Sequence, residues 1–339
     1  MINSKKVENS HGARKILLSG VKPTGQVHIG NYFGAMKQFV DLQDEYENHI
    51  FIADYHAMTT VQNKEEMEKG IVDVALDYLA IGLDPKRVVL FKQSDVPQVH
   101  ELTWIFNCLT TMPYLMRAHA YKDAEAKNKE INVGLFDYPL LMASDILIQD
   151  ADLVPVGQDQ KQHVEYARDT AEKFNRIFGK GKEVFKLPEH LILKSVETVP
   201  GTDGRKMSKS YGNVIPLFAT YEEIKKAVMS IPTDSKGLDD PKNPDESHIF
   251  AIHKLLLNEA EKQALAERYT KGGMGYKEAK ESLIAALEAF IKPLREKRAM
   301  LASDLDTVFD ILKEGGKRAS MRAEKKMEEV RKLVGVKIY

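Results

Sequence analysis

The chain has 339 residues, 43% of them hydrophobic, which is enough for a large core and for more than one average domain. Lysine and arginine total 49 against 50 for aspartate and glutamate, so net charge does not drive the protein onto nucleic acid, no DNA partner is expected, and only local cationic patches remain open. Cys108 is the sole cysteine, which excludes an intrachain disulfide and a cysteine-rich zinc site and fits a reducing cytoplasm.

Residues 1–13, MINSKKVENSHGA, are polar and read as a short disordered extension. They lack the apolar run of a signal peptide, and no uninterrupted apolar stretch approaches membrane-spanning length, so a soluble cytoplasmic protein without a membrane partner is expected. From Arg14 to Val156 short apolar runs alternate with longer amphipathic ones. KILLSG, HIFIAD, RVVLF and DLVPVG read as strands buried on both faces, while NYFGAMKQFVDLQDEY, KEEMEKGIVDVALDYLAIG and VHELTWIFNCLT read as helices. That alternation predicts an α/β fold with a doubly wound parallel sheet, whose ligands bind beyond the carboxyl ends of the strands. Trp104 and the aromatic residues of the helical segments read as core at helical spacing.

After Pro216 the pattern changes to helices alone: YEEIKKAVMSI, HIFAIHKLLL, NEAEKQALAERYT, YKEAKESLIAALEAFIKPLREKRAMLA, LDTVFDILKEGGKRA and EKKMEEVRKLV. Two units are therefore expected, a Rossmann-type unit over 14–213 and an α-helical one over 214–339. Charges of both signs mix on the later helices, as on ordinary solvated faces.

Two segments stand apart chemically. In SGVKPTGQVHIGNYFGAM, a strand leads through a turn rich in Gly, Pro and Thr into His28-Ile29-Gly30-Asn31, which opens a helix. Free N–H groups at such a start suit phosphate, Gly30 lets a flat base approach the backbone, and His28 and Asn31 add side-chain donors. Neither the Gly-Lys-Ser/Thr phosphate loop nor the dinucleotide glycine pattern is present, which removes the main support for ordinary kinase and dehydrogenase chemistry. Far downstream, GTDGRKMSKSYGN concentrates Arg205, Lys206 and Lys209 on a flexible segment with little apolar area to bury.

HIGN near the first strand and KMSKS downstream, in that order around an α/β sheet, resemble the class I aminoacyl-tRNA synthetases, whose HIGH-like and KMSKS motifs bind ATP from opposite sides. The resemblance implies that Lys206 and Lys209 close over the triphosphate and neutralise charge as pyrophosphate leaves. Asn31 stands where many members have His, a change that keeps a side-chain donor. The run FDYPLLMASDILIQDADLVPVGQDQKQHVEYARD resembles the bacterial tryptophanyl members of the class. Pro139 suits a first helical turn, after which Tyr138, Met142 and Asp145 share one face; an apolar pocket of Met142, Val154 and Val156 around one acceptor, Asp145, fits an indole with its single N–H. The resemblance spans about Ile16 to Asn213 and continues more loosely beyond.

By match to that family, His56 in FIADYHAMT borders the tryptophan pocket, Tyr138 joins it, and Gly157, Asp159 and Gln160 contact adenosine. Lys122 in RAHAYKD contacts the phosphates, and Lys22 and Thr24 of the first turn and Met207 and Ser208 of KMSKS bind ATP. Many relatives carry Gln at the position of Lys22, near the amino-acid head group; a lysine there attracts the carboxylate and repels the ammonium. The implied reaction joins L-tryptophan to tRNA(Trp), with ATP as substrate, Mg2+ held mainly by the ATP phosphates and no metal ligand from protein side chains. The resemblance also implies a homodimer and anticodon recognition by the helical unit. A tyrosyl enzyme, a shorter nucleotidyltransferase with a similar ATP site and a catalytically silent RNA-binding paralogue stand as alternatives.

Overall fold

A computed structural model describes residues 14–127, 130–156, 161–192 and 199–339. In chain order β1 (Ile16–Val21) is followed by α1 (Ile29–Asn31), a π turn (Tyr32–Met36), α2 (Lys37–Leu42), β2 (Glu47–Ile52), α3 (Asp54–Ala57), α4 (Lys64–Ile81) and β3 (Val88–Lys92). Then come α5 (Gln98–Leu109), α6 (Met112–Leu115), α7 (His119–Ala126), α8 (Val133–Ile148), β4 (Leu153–Val156), α9 (Lys161–Ile177) and β5 (Glu189–Ile192). Helices alone follow: α10 (Tyr221–Met229), α11 (His248–His253), α12 (Glu259–Lys271), α13 (Tyr276–Ala302) and α14 (Leu305–Leu333).

The five strands form one parallel sheet in the order β3-β2-β1-β4-β5, the Rossmann-type arrangement expected from the alternating pattern. Because side chains alternate across a strand, Ile50, Ile52, Val88 and Leu90 face one core while Phe51, Val89 and Phe91 face the other. The first core continues into the C-terminal helices through Ile224, Leu265, Leu283 and Leu287. One body of apolar side chains therefore joins the sheet to α10–α13.

Several elements differ from the sequence reading. β5, EHLI, was not anticipated: it is short, and two of its four residues are polar. α8 begins at Val133, where Asn132 accepts a hydrogen bond from the Leu135 N–H, so Pro139 lies inside the helix and not in its first turn. Trp104 is 70% exposed and not core, because α5 buries Val99, Leu102, Thr103 and Phe106 at helical spacing and turns Trp104 outward.

The two segments read as separate final helices form one helix, α14, of 29 residues. A Cβ on Gly315 would stand 1.9 Å from the Leu90 carbonyl oxygen, so only glycine lets α14 lie this close to the edge strand β3. Val308 and Leu312, before that crossing, belong to one core; Ala319, Ala323, Met327 and Val330, after it, belong to the other. Among the described residues no helix is long and apolar enough to cross a membrane.

Candidate active site

β1 and β4 are neighbours in the sheet although β2 and β3 separate them in the chain, so the strand order reverses between them. Such a reversal opens a crevice beyond the carboxyl ends of the strands. A cavity of about 300 Å³ occupies it. Ser19, Gly20 and Lys22 line it from β1 and the following turn, Val154 and Val156 from β4, Met142 and Asp145 from α8, and His56 from α3. Gly20 is required here, since a Cβ would lie 2.4 Å from the Phe51 ring on the adjoining strand.

Asp145 is the acidic side chain among the cavity's lining residues and is 4% exposed. A buried carboxylate must be hydrogen-bonded, and two partners meet it: Gln93 Nε2 donates to both oxygens at 3.0 and 2.9 Å, and His56 Nε2 lies 2.9 Å from Oδ2. Gln93 is itself 1% exposed, and its Oε1 accepts the His56 backbone N–H at 3.2 Å. Its orientation is therefore set from both ends. Burial pushes the Asp145 carboxyl above its ordinary range, and the hydrogen bonds from His56 and Gln93 pull the other way. Asp54, at the end of β2, accepts from the Tyr55 and Ser94 N–H groups and so ties the turn that carries His56 to the one that carries Gln93. Tyr138 meets the His56 ring edge-on at 6.2 Å, and Lys22 Nζ lies 6.0 Å from the centre of the Tyr138 ring at the mouth of the cavity. Burial holds the Lys22 ammonium below the usual lysine range.

A second cluster surrounds the first turn. His28 is buried, and its Nδ1 has no hydrogen-bond partner. Burial and the neighbouring Lys209 charge lower its pKa to about 4, so the ring is neutral near pH 7. Asn31 Oδ1 accepts the His28 N–H at 3.1 Å, which commits the carbonyl of that side chain to the turn and leaves its amide as the donor. The KMSKS loop folds back onto the same place. Met207 is 4% exposed in the shared core, and a Cβ on Gly30 would meet the Met207 Cβ at 3.2 Å and His28 Nδ1 at 2.8 Å. Gly30 is thus needed for contact between the two motifs, a reason the sequence did not disclose.

Asn213, 2% exposed, closes the base of the loop by donating to Asp203 Oδ1 and the Lys206 carbonyl and accepting the Ser208 N–H at 2.8 Å. Lys209 Nζ reaches the Thr24 carbonyl at 3.3 Å. Lys206 and Lys209 are exposed, as is Asn31.

The structure brings Lys22, His56, Met142, Asp145, Val154 and Val156 to one cavity with Tyr138 beside it, and Thr24, His28, Gly30, Met207 and Lys209 to one turn. Lys122 is exposed on α7 and is not among the residues lining the cavity. Gly157, Asp159 and Gln160 lie outside the described residues. Sequence reasoning missed Gln93, His163, which also lines the cavity, and Asn213. For Gln93 a signal existed: a polar residue directly after a buried strand, at the ligand-binding end of a parallel sheet.

A parallel sheet with a pocket at its switch point, and a lysine-bearing loop folded onto the first-strand turn, is the architecture of a class I nucleotide-activating catalytic domain. The family of tRNA synthetases class I (W and Y) matches residues 10–292. A tryptophan–tRNA ligase of Fusobacterium nucleatum is 49% identical over 94% of this chain and 97% of its own, and that of Rhodopirellula baltica is 47% identical over 95% and 99%. The tryptophanyl-tRNA synthetase of Campylobacter jejuni, crystallised with ADP and tryptophan, superposes with a TM-score of 0.89 at 45% identity, covering 94% of this chain and 99% of that one. The chain belongs to the class I tRNA synthetase family for tryptophan and tyrosine.

Proposed function

We propose that this protein acts as a tryptophan–tRNA ligase, activating L-tryptophan with ATP and passing it to tRNA(Trp). The observation that carries the choice of amino acid is Asp145, a single buried acceptor held by Gln93 and His56 at the edge of an apolar cavity. An indole presents one N–H on a large apolar plate and matches that wall. A phenol would need a further polar partner where Met142 lies, so the tyrosyl reading is disfavoured.

In the first step the tryptophan carboxylate, ionised at neutral pH, attacks the α-phosphorus of ATP in line. The bond to the bridging oxygen breaks, pyrophosphate leaves with that electron pair, and tryptophanyl-adenylate forms. No general base is required. The turn and the KMSKS loop supply positioning and positive charge: Lys209 and Lys206 toward the departing phosphates, Met207 and Ser208 fixing the loop, Thr24 and Gly30 shaping the turn, and neutral His28 with Asn31 as donors. Lys22 sits at the cavity mouth, where the head-group carboxylate and the α-phosphate would meet. Gly157, Asp159 and Gln160 are assigned to adenosine and Lys122 to phosphate by family match alone. The groups assigned to the phosphates, Lys22, His28, Asn31, Lys122, Lys206 and Lys209, are donors and cations and suit anions, so Mg2+ would enter with the ATP phosphates that bind it. In the second step the 2′-hydroxyl of the terminal adenosine attacks the acyl carbon and AMP leaves.

The same reading makes the protein a cytoplasmic homodimer whose helices beyond 213 meet the anticodon. Exposed apolar side chains support an interface: Trp104 is 70% exposed, Met58 is 55% exposed, and Tyr55 packs edge-on against His100 one turn from Trp104. Sedimentation velocity showing only monomer would remove the dimer. ATP–pyrophosphate exchange with tryptophan, tyrosine or phenylalanine supplied separately tests the activity; exchange with tyrosine alone, or with none, would overturn it.

A further inference from the structure

The segment between KMSKS and α10 acts as a strut between the ATP turn and α13. Ile215 O accepts the Ile29 N–H at 3.0 Å, and Val27 O accepts the Leu217 N–H at 3.0 Å, so residues 215–217 pair as a short antiparallel ribbon with the turn that carries His28. The other side of the strut meets α13. Arg295 donates to the Ala219 carbonyl and is held by Glu288 at 2.6 Å. Arg298 lies over the Phe218 ring at 5.2 Å, with Nε 2.6 Å from Asp77 Oδ1 and Nη2 2.7 Å from Asp73 Oδ1 of α4. About two turns earlier on α13, Phe290 stacks on Phe33 at 5.5 Å and touches Tyr32 at 5.2 Å, in the helical segment that HIGN opens.

Arg298 is thus the point where three pieces meet: α4, α13 and the strut. Its guanidinium fork suits this place, since one planar group can bind two carboxylates while a ring packs against its face. The groups facing it across the neighbouring cavity of about 210 Å³ are Asp73, Asp77, Lys69 and Glu223, together with Gln26 and Val27 from the ATP turn. Asp77 is 5% exposed. A change at Arg298 therefore bears on the His28 turn through Phe218 and Pro216.

We infer that Arg298 is a positioning residue for adenylate formation, setting the ATP turn by clamping Phe218 and the strut to α4. It touches no substrate in this arrangement. The inference rests on the activity proposed above and concerns the ATP side of that reaction alone, because Arg298 does not line the tryptophan cavity.

The test uses the full chain as wild type, Arg298→Lys, Arg298→Met and the double variant Asp77→Asn/Arg298→Met, with a thermal melt on each to establish folding. Pyrophosphate exchange gives KM for ATP, KM for tryptophan and kcat, and calorimetric titration gives ATP affinity independently of turnover. Arg298→Met is expected to raise KM for ATP or lower kcat about tenfold or more while KM for tryptophan stays within about twofold, as for a displaced positioning group. Arg298→Lys should recover part of that loss. The double variant, which removes the orphaned carboxylate, should keep the defect, and it carries the test if Arg298→Met does not fold. Unchanged ATP parameters in the folded variants, equal losses for ATP and tryptophan, or a double variant that returns to wild-type values would each overturn the inference. If the wild type binds ATP but shows no exchange, the activity proposal fails, and ATP affinity across the variants still decides the role of Arg298.

Discussion

Asp145 in the cavity and Lys209 beside the first turn are held in opposite ways. The carboxylate is 4% exposed and takes hydrogen bonds from Gln93 and His56, themselves buried, so this wall of the cavity is held rigidly by the protein's own groups. Lys209 is exposed, on a loop anchored by Met207 in the core and by Asn213 at its base, and its ammonium rests on the Thr24 carbonyl. Specificity needs a partner that does not yield, since a site that can relax accepts the wrong ligand. Charge that appears only as pyrophosphate leaves is better met by a group free to move toward it. Under the proposed function, the difference in burial separates recognition from catalysis.

The largest effect expected is from Asp145→Ala. Removing the acceptor from a site built around one hydrogen bond should cut discrimination between tryptophan and phenylalanine by roughly 10⁴-fold in kcat/KM. Preserved discrimination in the exchange assay would break the contrast at its rigid end. Next, Lys209→Ala should lower kcat about 10² to 10³-fold, because the contact strengthens in the transition state, while tryptophan affinity by calorimetry stays unchanged. A matching fall in tryptophan affinity would show that the two regions are one.

Gln93→Leu should be milder, raising KM for tryptophan about tenfold through loss of a hydrogen bond to a charged group. Its sharper signature is in pH. The Asp145 carboxyl already stands above its ordinary range through burial, and Gln93 lowers it. Without Gln93 it rises further, so the acid limb of kcat/KM for tryptophan should move to higher pH, and an unmoved limb would separate Gln93 from Asp145.

The smallest effect concerns stability. His28 is held at about 4 in the fold against 6.5 for a free imidazole, so the folded state favours the neutral ring, and the stability this gives is lost as pH falls from about 6.5 through 4. A His28→Gln variant should flatten that part of the urea-denaturation profile, whereas an identical slope would mean that the turn opens to solvent.

Much of the fold was legible early because buried strands and amphipathic helices announce themselves by periodicity: the first four strands follow from it, whereas the pocket residues Met142, Val154 and Val156 were reached through the family resemblance. β5 escaped because four residues with a Glu and a His carry too little pattern. Trp104 misled because a large aromatic at helical spacing is normally core, and only the packing of α5 shows which face is turned inward. The stretch between LDTVFDILKEGGKRA and EKKMEEVRKLV read as a break between helices; α14 runs through it unbroken, and its Gly315-Gly316 pair passes against the edge of the sheet.

The sequence by itself determined the alternation that makes a parallel sheet, the two motifs and the chemistry their residues can offer, since these depend on neighbours along the chain. The tertiary structure alone decided that Gln93 and His56 share Asp145, that Gly30 makes room for Met207, and that Arg298 reaches across from α13 to α4. Each of these joins residues tens to hundreds of positions apart, and only the closing of the sheet and its helices around a common core brings such groups within hydrogen-bond reach.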